Sequence, residues 1–533
     1  MTQAPPAPTA EQSGEMSHRE ILEALSGLLL AMFVAMLSST VVSNALPRIV
    51  TDLEGSQSGY TWVVVATLLT MTATTPIWGK LADLFSKKLL VQAALVIFAV
   101  GSLVAGLAPN MEVLIGARAF QGLGVGGLTA LVQVVIASMV SPRERGRYSG
   151  YIGAVFATAT VSGPLLGGLI VDSPLGWRGC FYVGIPVALL AFLVLQFKLH
   201  LPVVKREVKI DYAGATLIAG GVSILLVWVS LAGDQFDWAS RTTAVMLAAA
   251  VVVIAAALYV EAKVASEPVV PLRLFRDRTT SLATLASVMI GVAMFGSTVY
   301  LSQYFQMSRG MTPTHAGLMS ICMVGGLLVS SIVSGKVITA TGLWKRWLVA
   351  GSVLVVVGFA LLSRIDAETP LVVVGLFMAV LGVGMGATMQ NLVLAVQNNA
   401  KAADLGAASS VVAFFRSIGG TVGVSALGAL LAHQVADKVY AGLVARGVDP
   451  SQAGGGGTGA IPDLSQVDPL LRQVYEGAFG EATGHLFLVS VPFAVVALVC
   501  VLFIREVPLR TTTGDQPAPE SVAPGATEEL SRR

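Results

Sequence analysis

Runs of about twenty apolar residues recur along this chain, separated by short polar connections, and they constrain its fold more than any other feature. A helix needs roughly 20 residues to cross a hydrocarbon layer about 30 Å thick, because each residue adds about 1.5 Å. Such runs fall at 21–47, 58–79, 89–108, 111–139, 149–171, 178–197, 211–232, 242–262, 280–306, 314–339, 347–364, 370–396, 406–432 and 484–504. Only 12% of the 533 residues are charged, about half the ~25% of soluble domains. The expected fold is an all-α polytopic membrane protein with fourteen spans.

Lys and Arg set the orientation, since short cytoplasmic loops collect them. Connections after even-numbered spans hold eighteen, among them Lys80, Lys87, Lys88, Arg145 and Lys401, whereas those after odd-numbered spans hold eight. The even-numbered connections are therefore expected to be cytoplasmic, and so are both termini. Residues 1–20 and 506–533 are Pro-, Ala- and Ser-rich and are expected to be disordered tails. The N-terminus lacks the basic start and small-residue cleavage site of a signal peptide. One outer connection is long, 433–483, and contains GGGGTG; within it Leu464–Phe479 has helical periodicity, and the expected form is a flexible loop with one short helix, for which the membrane surface is one placement.

Several function classes are disfavoured. A net charge of +2 gives no basic field for nucleic acid. Cys180, Cys322 and Cys500 show no metal-ligand spacing. The five histidines (His18, His200, His315, His433 and His485) lie scattered at span ends or in tails, which argues against a membrane-embedded enzyme. No G-x-x-x-x-G-K-[ST] loop is present, so ATP is not the expected energy source.

Internal repetition supports two halves. Gly79-Lys80-Leu81 recurs as Gly335-Lys336-Val337, and Gly163 and Gly167 recur as Gly419 and Gly423, both 256 residues later. The match joins span 2 to span 10, which implies two six-helix bundles with two additional helices between them. The expected units are 21–200, 201–279 and 280–505. Parallel repeats of this kind build transporters that bind substrate at the interface of the halves.

Within the spans, Arg118 and Gln121 share a helix face at i, i+3, and Arg416 is a second intramembrane arginine. Ionisable groups at that depth are costly and are functional by default. Gly163 and Gly167 form a GxxxG face that lets helices approach closely, and Pro164 permits a kink.

These segments carry a family resemblance. GKLADLFSKK at 79–88 resembles the signature loop of the major facilitator superfamily, with Leu84 in place of a basic residue and Ser86 in place of glycine. LIGARAFQGLGVGG at 114–127 resembles its span-4 motif through Arg118, Gln121 and Gly122. SGPLLGG at 162–168, containing Gly163, Pro164, Gly167 and Gly168, resembles the antiporter motif of span 5, and FFRSIGGTVG at 414–423 its span-13 counterpart. MLSSTVVSNALP at 36–47 resembles the span-1 motif of the fourteen-helix drug:proton antiporters, with Ser38 where aspartate usually stands. GWRGCFYVGIP at 176–186 and EPVVPLRLFRDR at 267–278 add supporting matches.

The resemblance implies a multidrug or antibiotic exporter of the inner (plasma) membrane, moving hydrophobic or cationic compounds by alternating access in exchange for protons. It implies proton coupling or gating by Arg118, Gln121, Asp83 and Arg416, with the Asp83 loop latching the halves. Expected cavity residues are Ser38, Thr40, Asn44, Phe120, Tyr300, Gln303, Gln306, Gln390 and Asn391, with Trp78, Phe295 and Phe414. The expected partners are a small amphipathic substrate and membrane lipid, with no nucleic acid, no ATP, no metal and no cofactor beyond the proton gradient; the expected state is a monomer. Because no span carries a carboxylate near its middle, export of a lipid or an endogenous metabolite without proton coupling stays open beside this reading.

Overall fold

A computed structural model describes residues 18–53, 57–171, 173–199, 211–232, 235–265, 268–401, 404–446 and 469–510. Among the described residues there is no strand. The helices are α1 (His18–Asp52), α2 (Gln57–Leu84), α3 (Lys87–Gly106), α4 (Met111–Met139), α5 (Pro142–Val171), α6 (Gly179–Tyr182), α7 (Gly184–Lys198), α8 (Tyr212–Leu231) and α9 (Arg241–Tyr259). They continue as α10 (Arg278–Met307), α11 (Pro313–Met319), α12 (Ile321–Thr341), α13 (Lys345–Leu362), α14 (Leu371–Asn399), α15 (Leu405–Ala445) and α16 (Pro469–Phe503).

Thirteen helices among the described residues are long and apolar enough to cross a membrane. The remaining expected span is α5. Its 30 residues reach about 45 Å at 1.5 Å each, but Ser, Thr and Gly dilute its apolar content, and only Tyr151–Thr160 reads as apolar. Local chemistry sets several boundaries. Asn110 caps α4 by accepting from Val113 N at 2.9 Å, and Asp277 caps α10 by accepting from Thr280 N at 2.8 Å; each satisfies an amide that the first turn leaves unpaired. Gly342 ends α12 in the left-handed conformation, φ 75°, which a Cβ disfavours.

The apolar residues bury themselves in separate halves. One continuous core joins α10 to α16, from Ala283 through Phe359 to Phe487. Two others, around Leu28, Phe98 and Leu131 and around Val41, Leu114 and Phe181, fill the space among α1 to α7. Lipid tails are as apolar as leucine, so such packing holds by close van der Waals fit. The halves meet where α2 lies along α15 and α5 along α12. The two helices between them pair with each other; α8 touches α2 and packs on α15 through a small cluster of Val222, Leu226 and Phe414. Only 17% of the α9 window is buried, against 78% for α4, so α9 lies at the periphery and α4 at the centre.

The long outer connection differs from expectation. Helix α15 runs to Ala445, and Pro469–Phe479 is the continuous beginning of α16. No separate surface helix begins there; residues 464–468 lie outside the described residues. The two extensions pack together through Lys438–Glu481 at 2.5 Å. Ser308 Oγ donates to the Glu476 carbonyl at 2.8 Å. Interhelical contact lets the periodic 469–479 segment lengthen a span rather than lie on a surface.

Candidate functional site

A cavity of about 280 Å³ lies between the halves, just below the ~300–1,000 Å³ of typical ligand pockets. Helices α1, α2, α4 and α5 form one wall, and α10, α12, α14 and α15 form the other. Most of the surface is apolar: Met32, Met36, Met71, Met294, Met385 and Met389 line it with Phe156 and Phe295. Methionine is unbranched and polarisable, so this lining can refit around ligands of different shape. Hydroxyls of Thr40, Thr75, Thr129, Thr160, Thr298 and Ser417 reach the cavity but donate to helix carbonyls. Gln133 Nε2 donates to Gln390 Oε1 across the cavity at 3.3 Å.

Three sets of hydrogen bonds close the end that carries most of the Lys and Arg. Gln133–Gln390 is the innermost. Further out, Arg145 Nη1 donates to Gln397 Oε1 at 2.9 Å, while its other nitrogens bond the Val140 and Ala137 carbonyls. At the outermost level the Asp83 carboxylate accepts from Gly406 N at 2.7 Å and Ala407 N at 2.9 Å. These amides are the first turn of α15, whose positive end attracts a carboxylate. Only glycine permits this approach at 406, because an added Cβ would stand 2.4 Å from the Gly79 carbonyl and 2.5 Å from Asp83 Oδ1. Arg273 Nη2, on the segment before α10, reaches Asp404 Oδ1 at 2.6 Å just ahead of the same helix end. The repeat is asymmetric here: 256 residues after Asp83 stands Thr339.

Arg118 occupies a different place. It is 4% exposed, does not line the cavity, and sits inside the first half. Its Nη1 donates to Gln121 Oε1 at 2.5 Å and its Nε to the Val63 carbonyl at 3.3 Å. Gln121 Nε2 passes the network on to Ser102 Oγ at 2.6 Å and Ser38 Oγ at 3.2 Å. Thr67 Oγ1 donates to the Arg118 carbonyl at 3.1 Å. Neutral partners satisfy the guanidinium; among the described residues no carboxylate pairs with it. Helix α5 packs against α1 near this network. A Cβ on Gly163 would meet Thr40 Oγ1 at 2.1 Å, so α1 and α5 touch there at a distance that only glycine allows. Gly167 is buried in the same helix; the surroundings of Pro164 and Gly168 lie outside the described residues.

The expected cavity residues divide. Thr40, Gln390 and Phe295 line the cavity, and so does Arg416, which was expected in coupling or gating. Ser38 does not: it faces Gln121, and its neighbours Ser39 and Thr40 face the cavity instead. Phe120 is a correction. It is 42% exposed on the outside of α4, because Arg118, Gln121 and Gly122 take that helix's inward face. Tyr300 is buried with its hydroxyl donating to the Val424 carbonyl. Asn391 bonds back to the Ala387 carbonyl at 2.7 Å, and Gln306 bonds Ser302 Oγ at 3.1 Å. Gln303 lies outside the lining. Trp78 Nε1 donates to the Leu123 carbonyl at 2.9 Å, and Phe414 packs on α8. The side chain of Asn44 lies outside the described residues.

Sequence reasoning missed two features. Arg145 reads as one more topogenic cation, yet it is 7% exposed and bridges the halves; no spacing rule distinguishes it from Arg143. The methionine lining was equally hidden, since methionine is ordinary core material until six of them converge.

Two helical bundles around a shared, mostly apolar cavity, with one end held by hydrogen bonds, make the architecture of a membrane transporter. A Major Facilitator Superfamily model matches residues 28–424, and the chain belongs to that superfamily. It is 36% identical over 421 residues to the multidrug transporter protein MdtP of Bacillus subtilis (strain 168), covering 79% of this chain and 76% of that one. It is 34% identical over 494 residues to the efflux pump dotC of Dothistroma septosporum, covering 92% and 84%. The fold is that of the proton:xylose symporter XylE, with a TM-score of 0.58 at 13% identity over 92% of this chain and 97% of that one. The chain is a multi-pass membrane transporter and not an enzyme.

Proposed function

We propose that this transporter is an exporter of the fourteen-helix branch, moving small amphipathic molecules out across the plasma membrane by alternating access. The observation that carries the reading is the cavity between the halves, shut at its Lys/Arg-rich end by Asp83, Arg145 and the Gln133–Gln390 pair. The Gly163 contact and the relatives named as a multidrug transporter and an efflux pump support the outward direction. The basic end is the cytoplasmic one by the charge rule. Substrate enters there when α2 and α15 part, and leaves at the other side after they close again.

Proton antiport is one coupling this arrangement supports. Asp83 is the acid placed to exert it: a proton on its carboxylate removes the charge that holds the first turn of α15. One observation favours a second reading, export without proton exchange: among the described residues no carboxylate lines the cavity. A substrate panel in an efflux-deficient host, with and without a protonophore, tests export and its dependence on the proton-motive force. Protection against several amphipathic compounds that the protonophore abolishes is the expected result. Protection against none of them overturns the export reading, and protection that survives the protonophore overturns proton coupling.

A further inference from the structure

Among the described residues the cavity holds one full charge, and it is positive. Arg416 lines it from α15, about 16 Å along the helix from its Leu405 start and thus deep in the span. Among the described residues its guanidinium has no hydrogen-bond or ionic partner; the intrahelical bonds around it belong to Ser417 and Thr421. The other polar groups that reach the cavity are Ser39 and Thr40 on α1, Thr75 on α2, Thr129 and Gln133 on α4, Thr160 on α5, Thr298 on α10, Ser331 on α12, Gln390 on α14 and Ser417 on α15. All are uncharged. An arginine among methionines, with no counter-charge, is a costly arrangement that an anion relieves and a cation worsens.

We infer that the cavity selects amphipathic monoanions: an apolar body of one or two rings against the methionines, with a single carboxylate or sulfonate on Arg416. The inference rests on the reading of this cavity as the transport site and sharpens it by sign of charge. The guanidinium fork matches either oxyanion with two parallel hydrogen bonds. A lipophilic cation finds no partner, because an uncharged amide or hydroxyl does not offset the repulsion from Arg416 inside a mostly apolar cavity.

The test uses one fluorophore carrying two charges. The full chain in lipid nanodiscs is titrated with dansylglycine, an anion, with dansyl-ethylenediamine, a cation, and with neutral dansylamide. Dansylglycine is expected to bind at least roughly tenfold tighter than the cation. Arg416→Gln is expected to abolish that preference while dansylamide binding is retained, which shows that the variant is folded; Arg416→Lys is expected to keep part of the preference. Equal or tighter binding of the cation, no binding of the anion, or an anion preference that survives Arg416→Gln overturns the inference. Uptake of dansylglycine into everted vesicles reads export separately. Anion-selective binding without uptake removes the export reading and leaves the site assignment standing.

Discussion

Asp83→Asn tests the latch with a single atom exchange. The carboxylate accepts Gly406 N at 2.7 Å through one oxygen and Ala407 N at 2.9 Å through the other. Asparagine keeps one acceptor and turns an NH2 group towards the remaining amide, so one bond becomes a donor–donor contact. A hydrogen bond to a charged group is worth about 1.5–3 kcal/mol net, and the attraction of a charge to a helix end adds about 0.3–1 kcal/mol. The combined loss of about 2–4 kcal/mol shifts the closed-to-open ratio at this end by roughly 30- to 700-fold. Spin labels at Ser86→Cys, beside α2, and Lys401→Cys, ahead of α15, in a chain with Cys180, Cys322 and Cys500 replaced, report the separation by pulsed electron resonance. The variant is expected to populate a longer distance that the parent lacks. Gly406→Ala should do the same by another route, since its Cβ would stand 2.4 Å from the Gly79 carbonyl. If both variants keep the parent's distance, Asp83 and the α15 amides do not hold the halves together.

Three further substitutions address the first half. Arg118→Ala leaves Gln121 Oε1 without its donor, at a cost of about 1–3 kcal/mol; it should insert normally yet lose efflux, and wild-type efflux would remove Arg118 from the mechanism. Gly163→Ala places a Cβ 2.1 Å from Thr40 Oγ1 and 2.4 Å from Thr40 Cβ, so transport and thermal stability should both fall. Thr40→Ala should not rescue it, because the Thr40 Cβ remains; full rescue would show that α1 and α5 are free to part there. Ser38→Asp puts a carboxylate on the Gln121 amide, opposite Arg118, where at about 6 Å and an effective dielectric of ~20 the attraction is about 3 kcal/mol. Because Ser38 faces this network and not the cavity, its effect should appear as stronger drive by an imposed pH gradient with an unchanged substrate profile. A changed substrate profile without a change in drive would place residue 38 in the cavity instead.

The helical architecture was legible because lipid leaves few choices: long apolar runs must be helices. The Gly163 contact was legible for a related reason, since close helix approach demands small residues at fixed spacing. Cavity membership was not. Phe120 and Phe295 are both aromatic residues within spans, and only the rotation of each helix against its neighbours turns Phe120 outward and Phe295 into the cavity. Amides misled for a different reason. Asn391 and Gln390 are adjacent in sequence, but one bonds back to its own helix and the other crosses the cavity. The two intramembrane arginines looked alike in sequence; partners 55 and 3 residues away satisfy Arg118, whereas Arg416 is left for whatever enters.

That difference bears on the driving force. Ser38, not a carboxylate, stands beside Gln121 in the Arg118 network, and among the described residues no carboxylate lines the cavity. An exported monoanion, however, moves outward down an inside-negative potential, gaining about 2.3 kcal/mol per 100 mV, or roughly 50-fold in concentration ratio. Proton antiport and potential-driven anion export both fail with a protonophore, because it collapses both gradients, so the two must be separated by ionophore. Valinomycin with external potassium removes the potential alone, and nigericin in potassium medium removes the pH difference alone. For dansylglycine leaving intact cells, valinomycin is expected to slow efflux and nigericin to leave most of it. The opposite pattern would mean that the proton gradient drives this protein despite Ser38, with Asp83 as the acid that must be examined first.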